Sequence, residues 1–423
     1  MKKLVIVGSL LVFVSSMALA KAPSLEEMWV IVQSQTAEIE GLKAQLEVAN
    51  QSAQQTRVIV EAAADAIDEQ YAPTSTIAAS WAEKSRFGGY GELLYNSGTQ
   101  TSDDATNNPS KEIDVQRFVT YFAHEFDDNL RFFSELEVEH SNTGGAGEVE
   151  LEQAYIEWNY SQNHSILAGL HLVPMGLLNE THEPDTFYGV ERNQVESRII
   201  PSTYRVNGVK FAGKIADGLS YDFAVHEGLQ LANNFSVRSS RQAGSRANAE
   251  ALATTFRIKY SGVPGLELGA SLQYQSDLVQ DGVGNSRLGR NAFDANGSVD
   301  GLLTEAHLAY RAEQGFGLRA LYARWDIDDE IMALGGVGRD QQAGWYIEPS
   351  WRFNDKIGIF ARREFVDETA GDNDKTSEKN RTLFGLNYWL LPTVVVKADI
   401  QLESDEGTGA ELDGFNLGAG WSF

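Results

Sequence analysis

The chain has 423 residues, with 60 Asp plus Glu against 34 Lys plus Arg and a formal net charge of -26. This acid excess excludes the basic footprint that nucleic-acid binding requires. With no cysteine, a disulfide framework is excluded too, and hydrogen bonding and packing must hold the fold.

The N-terminus reads as an export signal over residues 1–20. Lys2 and Lys3 supply the positive start, Leu4 to Val14 an apolar run broken only by Gly8 and Ser9, and Ala18-Leu19-Ala20 a small-residue cleavage site. The run is too short for a transmembrane helix of ~20 residues.

Residues 21–70 are predicted to form a periplasmic coiled coil. From residue 24 the segment has no proline and one glycine, Gly41. Leu25, Trp29, Val32, Thr36, Ile39, Leu42, Leu46, Ala49, Ala53, Thr56, Val60, Ala63 and Ile67 recur in steps of four and three, with one slip between Ile39 and Leu42. That is a heptad seam, which a lone helix cannot bury. A helix over 24–70 would reach roughly 70 Å. Residues 71–85, with Pro73 and small polar side chains, read as a linker.

From residue 86 the period becomes two, as half-exposed strands require. Leu252, Thr254, Phe256, Ile258 and Tyr260 alternate with Thr255, Arg257 and Lys259. Leu266, Leu268, Ala270, Leu272 and Tyr274 do so with Glu267, Gly269, Ser271 and Gln273, and Val394 to Leu402 with Lys397, Asp399, Gln401 and Glu403. Sixteen candidate strands begin near 86, 111, 130, 148, 164, 204, 219, 249, 265, 301, 315, 341, 357, 381, 393 and 411. Tight turns alternate with long polar connections. An even strand number with short turns at one end and long loops at the other is the order of a bacterial outer-membrane barrel. The expected fold is therefore all-β, a 16-stranded antiparallel transmembrane β-barrel over 86–423, preceded by an N-terminal α-helical coiled coil.

The chain ends on Phe423 after alternating aromatics, in the manner of the strand signal read by the outer-membrane assembly machinery. Trp158, Tyr160, Trp345, Trp351, Trp389 and Trp421 fall near strand ends or on lipid-facing phases, as interfacial girdles would.

No catalytic motif is expected to act, and neither a cofactor nor a metal is predicted. There is no G-x-S-x-G, and none of the seven histidines forms an H-E-x-x-H pair. Gly208–Lys214 has the spacing of a phosphate loop, but Ile215 stands where Ser or Thr is needed and the stretch lies in a strand. The acidic stretches Asp326–Glu330 and Asp372–Glu378 read as solvated loops.

The connection 173–203 is the third outer loop and carries charge of both signs. A sixteen-stranded barrel leaves a lumen, which an inward loop would narrow. Arg192, Arg198 and Arg205 are expected on the basic side of the constriction and Glu180, Glu183 and Glu191 on the acidic side. The alternative is a loop at the extracellular surface or in a trimer contact. Alternation places Arg131, Lys210, Arg257, Lys259, Arg311, Arg352, Lys397, Glu267, Glu305 and Asp399 on the lumen face. Lys or Arg facing lipid near the midplane would cost ~2–4 kcal/mol.

Arg131–Glu137, Glu150–Glu157, Gly169–Gly176 and Asn179–Pro184 resemble the phosphate-selective porin O/P-like family of outer-membrane porins, over roughly residues 86–423. The resemblance implies a sixteen-stranded homotrimeric porin. No phosphate-binding residue is carried over. The function expected is passive diffusion of small hydrophilic solutes or ions, small anions among them, through the outer membrane of a Gram-negative bacterium. Expected partners are outer-membrane lipid, lipopolysaccharide and the assembly machinery. The competing expectations are a structural barrel tethered to the cell wall through its coiled coil and, less favoured, an outer-membrane enzyme.

Overall fold

Side chains that alternate apolar and polar at period two, bounded by Gly, Pro, Asn and Asp, can bury neither face completely alone. They satisfy their backbones by pairing in sequence order and closing on themselves. The computed structural model shows this closure. It describes residues 81–98, 111–141, 147–280, 298–372, 377–405, 410–411 and 413–423, together with Lys43 in a helix. The predicted signal peptide, the coiled coil apart from Lys43, and most of the linker lie outside the described residues. Trp81 to Glu83 are helical, and Trp81 stacks on Phe122 and His124.

The strands are β1 (Ser85–Ser97), β2 (Lys111–Glu125), β3 (Leu130–Glu139), β4 (Val149–Ser161), β5 (His164–Leu172), β6 (Arg205–Ala216), β7 (Leu219–His226) and β8 (Ala253–Tyr260). They continue as β9 (Leu266–Gln275), β10 (Gly301–Arg311), β11 (Phe316–Ile327), β12 (Gln341–Arg352), β13 (Ile357–Asp367), β14 (Lys379–Leu391) and β15 (Val394–Asp405). Ala410–Glu411 and Gly414–Ser422 both pair with β15 and make one strand, β16. The largest departure from the predicted starts is at β8, expected near 249 and found at Ala253.

Every neighbouring pair is antiparallel, and β1 closes on β16 from Tyr90↔Ser422 to Ser97↔Phe415. Phe423 completes the seam: its amide donates to the Gly89 carbonyl at 2.9 Å and its carbonyl accepts from the Gly89 amide at 3.0 Å. Among the described residues every strand of the barrel is paired on both sides.

The two faces follow the sequence phase. Leu268, Leu272, Tyr274, Phe384, Leu386, Ile400, Leu402, Phe415 and Leu417 are exposed on the outside. Their neighbours Ser271, Gln273, Lys397, Asp399, Gln401, Glu403 and Asn416 are buried on the inside. An apolar outer face over a polar inner one is the arrangement a bilayer stabilises. Trp158, Trp345 and Trp351 are exposed outside as expected. Trp389 is not: it is buried inside on the phase of Asn387 and Leu383, where the Tyr188 ring meets it edge-on and the Arg352 guanidinium lies 4.1 Å from its centroid.

The short connections gather at the end where the chain termini of the barrel meet. The long ones gather at the other end, and the described residues of four of them bear on the interior: L3 (173–204), L4 (227–252), L5 (276–280 and 298–300) and L6 (328–340). Val173, Met175, Val195, Ile199, Ile200 and Tyr204 of L3 join Leu229, Leu231, Phe235 and Val237 of L4, and Leu278 and Val299 of L5. They pack on Leu303, Leu321, Ala323, Trp325, Tyr346 and Val366 of the wall. An apolar core thus sits inside the barrel against β10–β13. Each fully buried aliphatic side chain contributes roughly 1.5–3 kcal/mol.

Candidate pore constriction

L3 enters and leaves through one clasp. Asn179 donates from Nδ2 to the carbonyls of Val173 (2.7 Å) and Tyr204 (3.2 Å), and its Oδ1 accepts from the Tyr204 amide at 2.7 Å. A second clasp is Glu196 in the helical turn Val195–Ile199. Its carboxylate accepts from the amides of Leu177 and Leu178 (2.6 Å each), from Asn193 Nδ2 (2.8 Å) and from Tyr346 Oη on β12 (3.0 Å). The Trp325 indole of β11 donates to the Ile199 carbonyl at 2.9 Å. Four donors on one buried carboxylate offset part of the cost of its burial, which still pushes the Glu196 carboxyl up.

Between the clasps the loop crosses the lumen. Ser422 on β16 donates to Asp185 at 3.0 Å. Arg319 on β11 donates to the Thr186 carbonyl at 2.8 Å. The Tyr188 ring lies against Phe360 of β13 and Trp389 of β14. Lys397 on β15 donates to the Gly189 carbonyl at 2.9 Å, and Asp399 accepts the Val190 amide at 2.8 Å. Close approach is possible because the wall carries glycine on its inner face here. A Cβ on Gly420 would stand 2.5 Å from the Pro184 side chain.

The predicted charges divide into groups. Glu180 lies between the strands β6 and β8, receiving Lys210 Nζ at 3.0 Å and Arg257 Nη1 at 2.6 Å, while Arg257 also binds Asp222 at 2.7 Å. Glu183 accepts from Tyr121 Oη at 3.3 Å. Glu191 accepts from Asn96 of β1 at 2.9 Å. Arg198 pairs with Glu368 at 3.1 Å, and Arg205, the first residue of β6, pairs with Glu150 of β4. Further along the wall Glu267 lies between Lys259 (3.6 Å) and His307 (3.4 Å), and Glu305 meets His307 at 2.6 Å. Arg131 pairs with Glu157 beside the turn into β3, and Arg352 donates to the Asp355 carbonyl at 2.7 Å, also beside a turn. Arg311 is exposed at the end of β10.

Glu191, Arg192, Arg198 and Arg205 come together around one cavity of about 340 Å³ on the long-loop side of L3. Glu180 and Glu183 do not line it. L4 contributes Arg238 and Arg241, and the walls Arg117 and Arg381, so seven arginines face five glutamates (Glu92, Glu139, Glu148, Glu150 and Glu191). Arg238 is oriented by donating to the carbonyls of Ser197 (2.7 Å) and Ser202 (2.9 Å). The L4 arginines escaped sequence reasoning, although Leu229, Leu231, Phe235 and Val237 in a polar loop were the sign that L4 is buried.

Environment sets the protonation of the loop carboxyls. Burial works to raise the Glu180 carboxyl, but Lys210 and Arg257 outweigh it and hold it well below the ordinary range. Burial pushes Glu191 up. Glu227, at the start of L4, is pushed by burial up to about 7.

No protein-family model matches the sequence. An uncharacterized protein of Aquifex aeolicus (strain VF5) is 31% identical over 376 residues, which cover 79% of each chain. This chain belongs to that protein's family. Among solved structures, the anion-selective porin from Comamonas acidovorans superposes with a TM-score of 0.55 at 11% identity, covering 80% of this chain and 99% of that one. The outer membrane channel DcaP of Acinetobacter baumannii gives 0.54 at 13% identity, covering 80% and 97%. The trimer form of OmpT, an outer membrane protein of Vibrio cholerae, gives 0.51 at 13% identity, covering 80% and 99%. At such identities the likeness is one of fold.

Proposed function

We propose that the protein is an outer-membrane porin that admits small hydrophilic solutes and prefers small anions. The carrying observation is the cavity above L3, where seven arginines meet five glutamates inside a chain whose net charge is -26. Charge placed at a narrowing, with low-dielectric walls around it, sets ion preference more strongly than charge spread over outer loops. The fold shared with an anion-selective porin and an outer membrane channel supports this reading. So does the O/P-like resemblance of Gly169–Gly176, the run that leads into L3. A homotrimer is the assembly we propose, in line with the trimeric OmpT.

The test is single-channel recording of the purified protein in a planar bilayer under a salt gradient. Stepwise currents closing in threes, with a reversal potential of anionic sign, are expected. Arg192→Ala should move that potential toward cations. A folded barrel that passes no current would overturn the pore, and a cationic reversal potential would overturn the preference.

A further inference from the structure

β4 pairs with β3 through Glu135↔Gln153 and then Leu136↔Leu151, so Glu152 is an extra residue in the ladder. Such a bulge re-aims a side chain. Leu151 and Leu136 stay exposed outside, while Glu152 turns inward beside Gln153. It meets Glu135 and, from L3, His182. The exposures of Glu135, Glu152 and His182 are 1%, 0% and 3%. His182 Nε2 lies 3.4 Å from Glu152 Oε2 and 3.9 Å from Glu135 Oε1, and one ligand atom from each residue falls within 4.8 Å of the others.

The ring is already oriented. His182 Nδ1 lies 3.2 Å from the Asn179 carbonyl, which can only accept, so Nδ1 carries the proton of the neutral ring. Nε2 is then left with its lone pair, and it has no hydrogen-bond partner among the described residues. Neither oxygen of Glu152 has one, nor does Glu135 Oε1, although Gln153 donates to Glu135 Oε2 at 2.6 Å. Arg205 Nη1 stands 3.8 Å from Glu152 Oε1, and Arg205 also pairs with Glu150. Buried carboxylates with empty lone pairs are costly unless a cation neutralises them.

We propose that Glu135, Glu152 and His182 bind a divalent first-row transition metal, pinning L3 to the β3–β4 wall. One imidazole nitrogen and two carboxylate oxygens form a donor set suited to Zn²⁺ or Mn²⁺, and two negative charges balance the ion. Donors about 3–3.5 Å apart surround an ion with bonds near ~2.1 Å, so small side-chain movements close the site. The carbonyl on Nδ1 is the outer partner that metal-bound histidines commonly have. The site does not depend on the pore reading, since its occupancy is read without any current.

The full-length protein, folded in detergent and stripped by a chelator, would be titrated with ZnCl₂ and with MnCl₂ by calorimetry. One ion per chain is expected. Glu152→Gln and His182→Ala should weaken binding by about tenfold or more, with the barrel checked by heat-modifiable migration. If either variant fails to fold, spin-echo modulation of Mn²⁺ on the wild-type protein replaces it, and an imidazole nitrogen coupling is expected. The proposal is overturned by no stoichiometric binding, by unchanged affinity in both folded variants, or by bound Mn²⁺ without nitrogen coupling.

Discussion

Single carboxyls in this barrel are set apart by what surrounds them. Glu180 holds Lys210 and Arg257 together at 3.0 and 2.6 Å. Removing one partner of a buried pair costs roughly 3–5 kcal/mol, but Glu180 keeps 28% side-chain exposure, so Glu180→Gln should cost about 2 kcal/mol. A thermal melt in detergent checks this, and an unchanged melt would show the contact to be screened. Glu227 behaves oppositely. Its ordinary value of 4.5 rises to about 7 on burial, so the folded protein binds a proton that the unfolded chain has released. Stability from this group is greatest below pH 4.5, falls as pH rises from there to 7, and stays low above. Glu227→Gln should flatten that slope and gain about 3 kcal/mol at pH 8. Parallel pH profiles of the two melts would remove Glu227 as the cause. Neither shift is legible in the sequence, because each depends on which loops fold inward.

At the scale of elements, L3 is held at its neck by Asn179, by the Glu196 clasp and by bare wall at Gly420. Gly420→Ala would put a Cβ 2.5 Å from Pro184. The loop must then shift, at a cost of about 1–3 kcal/mol. Conductance should change together with the melting temperature, and a change in neither would show that the contact does not position the loop. The glycines of the last strand are visible in the sequence as the polar phase opposite Phe415, Leu417 and Ala419. That one of them receives a proline from residue 184 is not visible. The constriction residues divided for a similar reason. The sequence suggests two opposed rows of L3 charge, yet a loop crossing a cylinder meets a different wall strand every few residues. Each charge therefore pairs with its nearest strand, as Glu180 does with β6 and β8 and Arg198 does with Glu368 beyond β13.

The described barrel is a wall with an apolar outer face and a polar inner face, against part of which the loops pack an apolar core. An outward residue midway along a strand should therefore resist charge in a bilayer. Leu272→Arg is expected to cost ~2–4 kcal/mol in membranes. Folding titrations in vesicles would measure it, and a cost near zero would place β9 outside lipid. The strand count, the alternation of turn lengths and the facing of each strand were determined by the sequence alone. The period of two makes facing a local property, and turn residues act locally as well. Trp389 marks the boundary of that logic. It follows the period of two, inward with Leu383 and Asn387, and the ring that receives it comes from Tyr188 of L3. Only the tertiary structure decided the apolar core of L3 and L4 inside the barrel, the arginines around the cavity, and the meeting of Glu135, Glu152 and His182. Those groups come from segments far apart in the chain, and barrel closure with inward-folding loops brings them together.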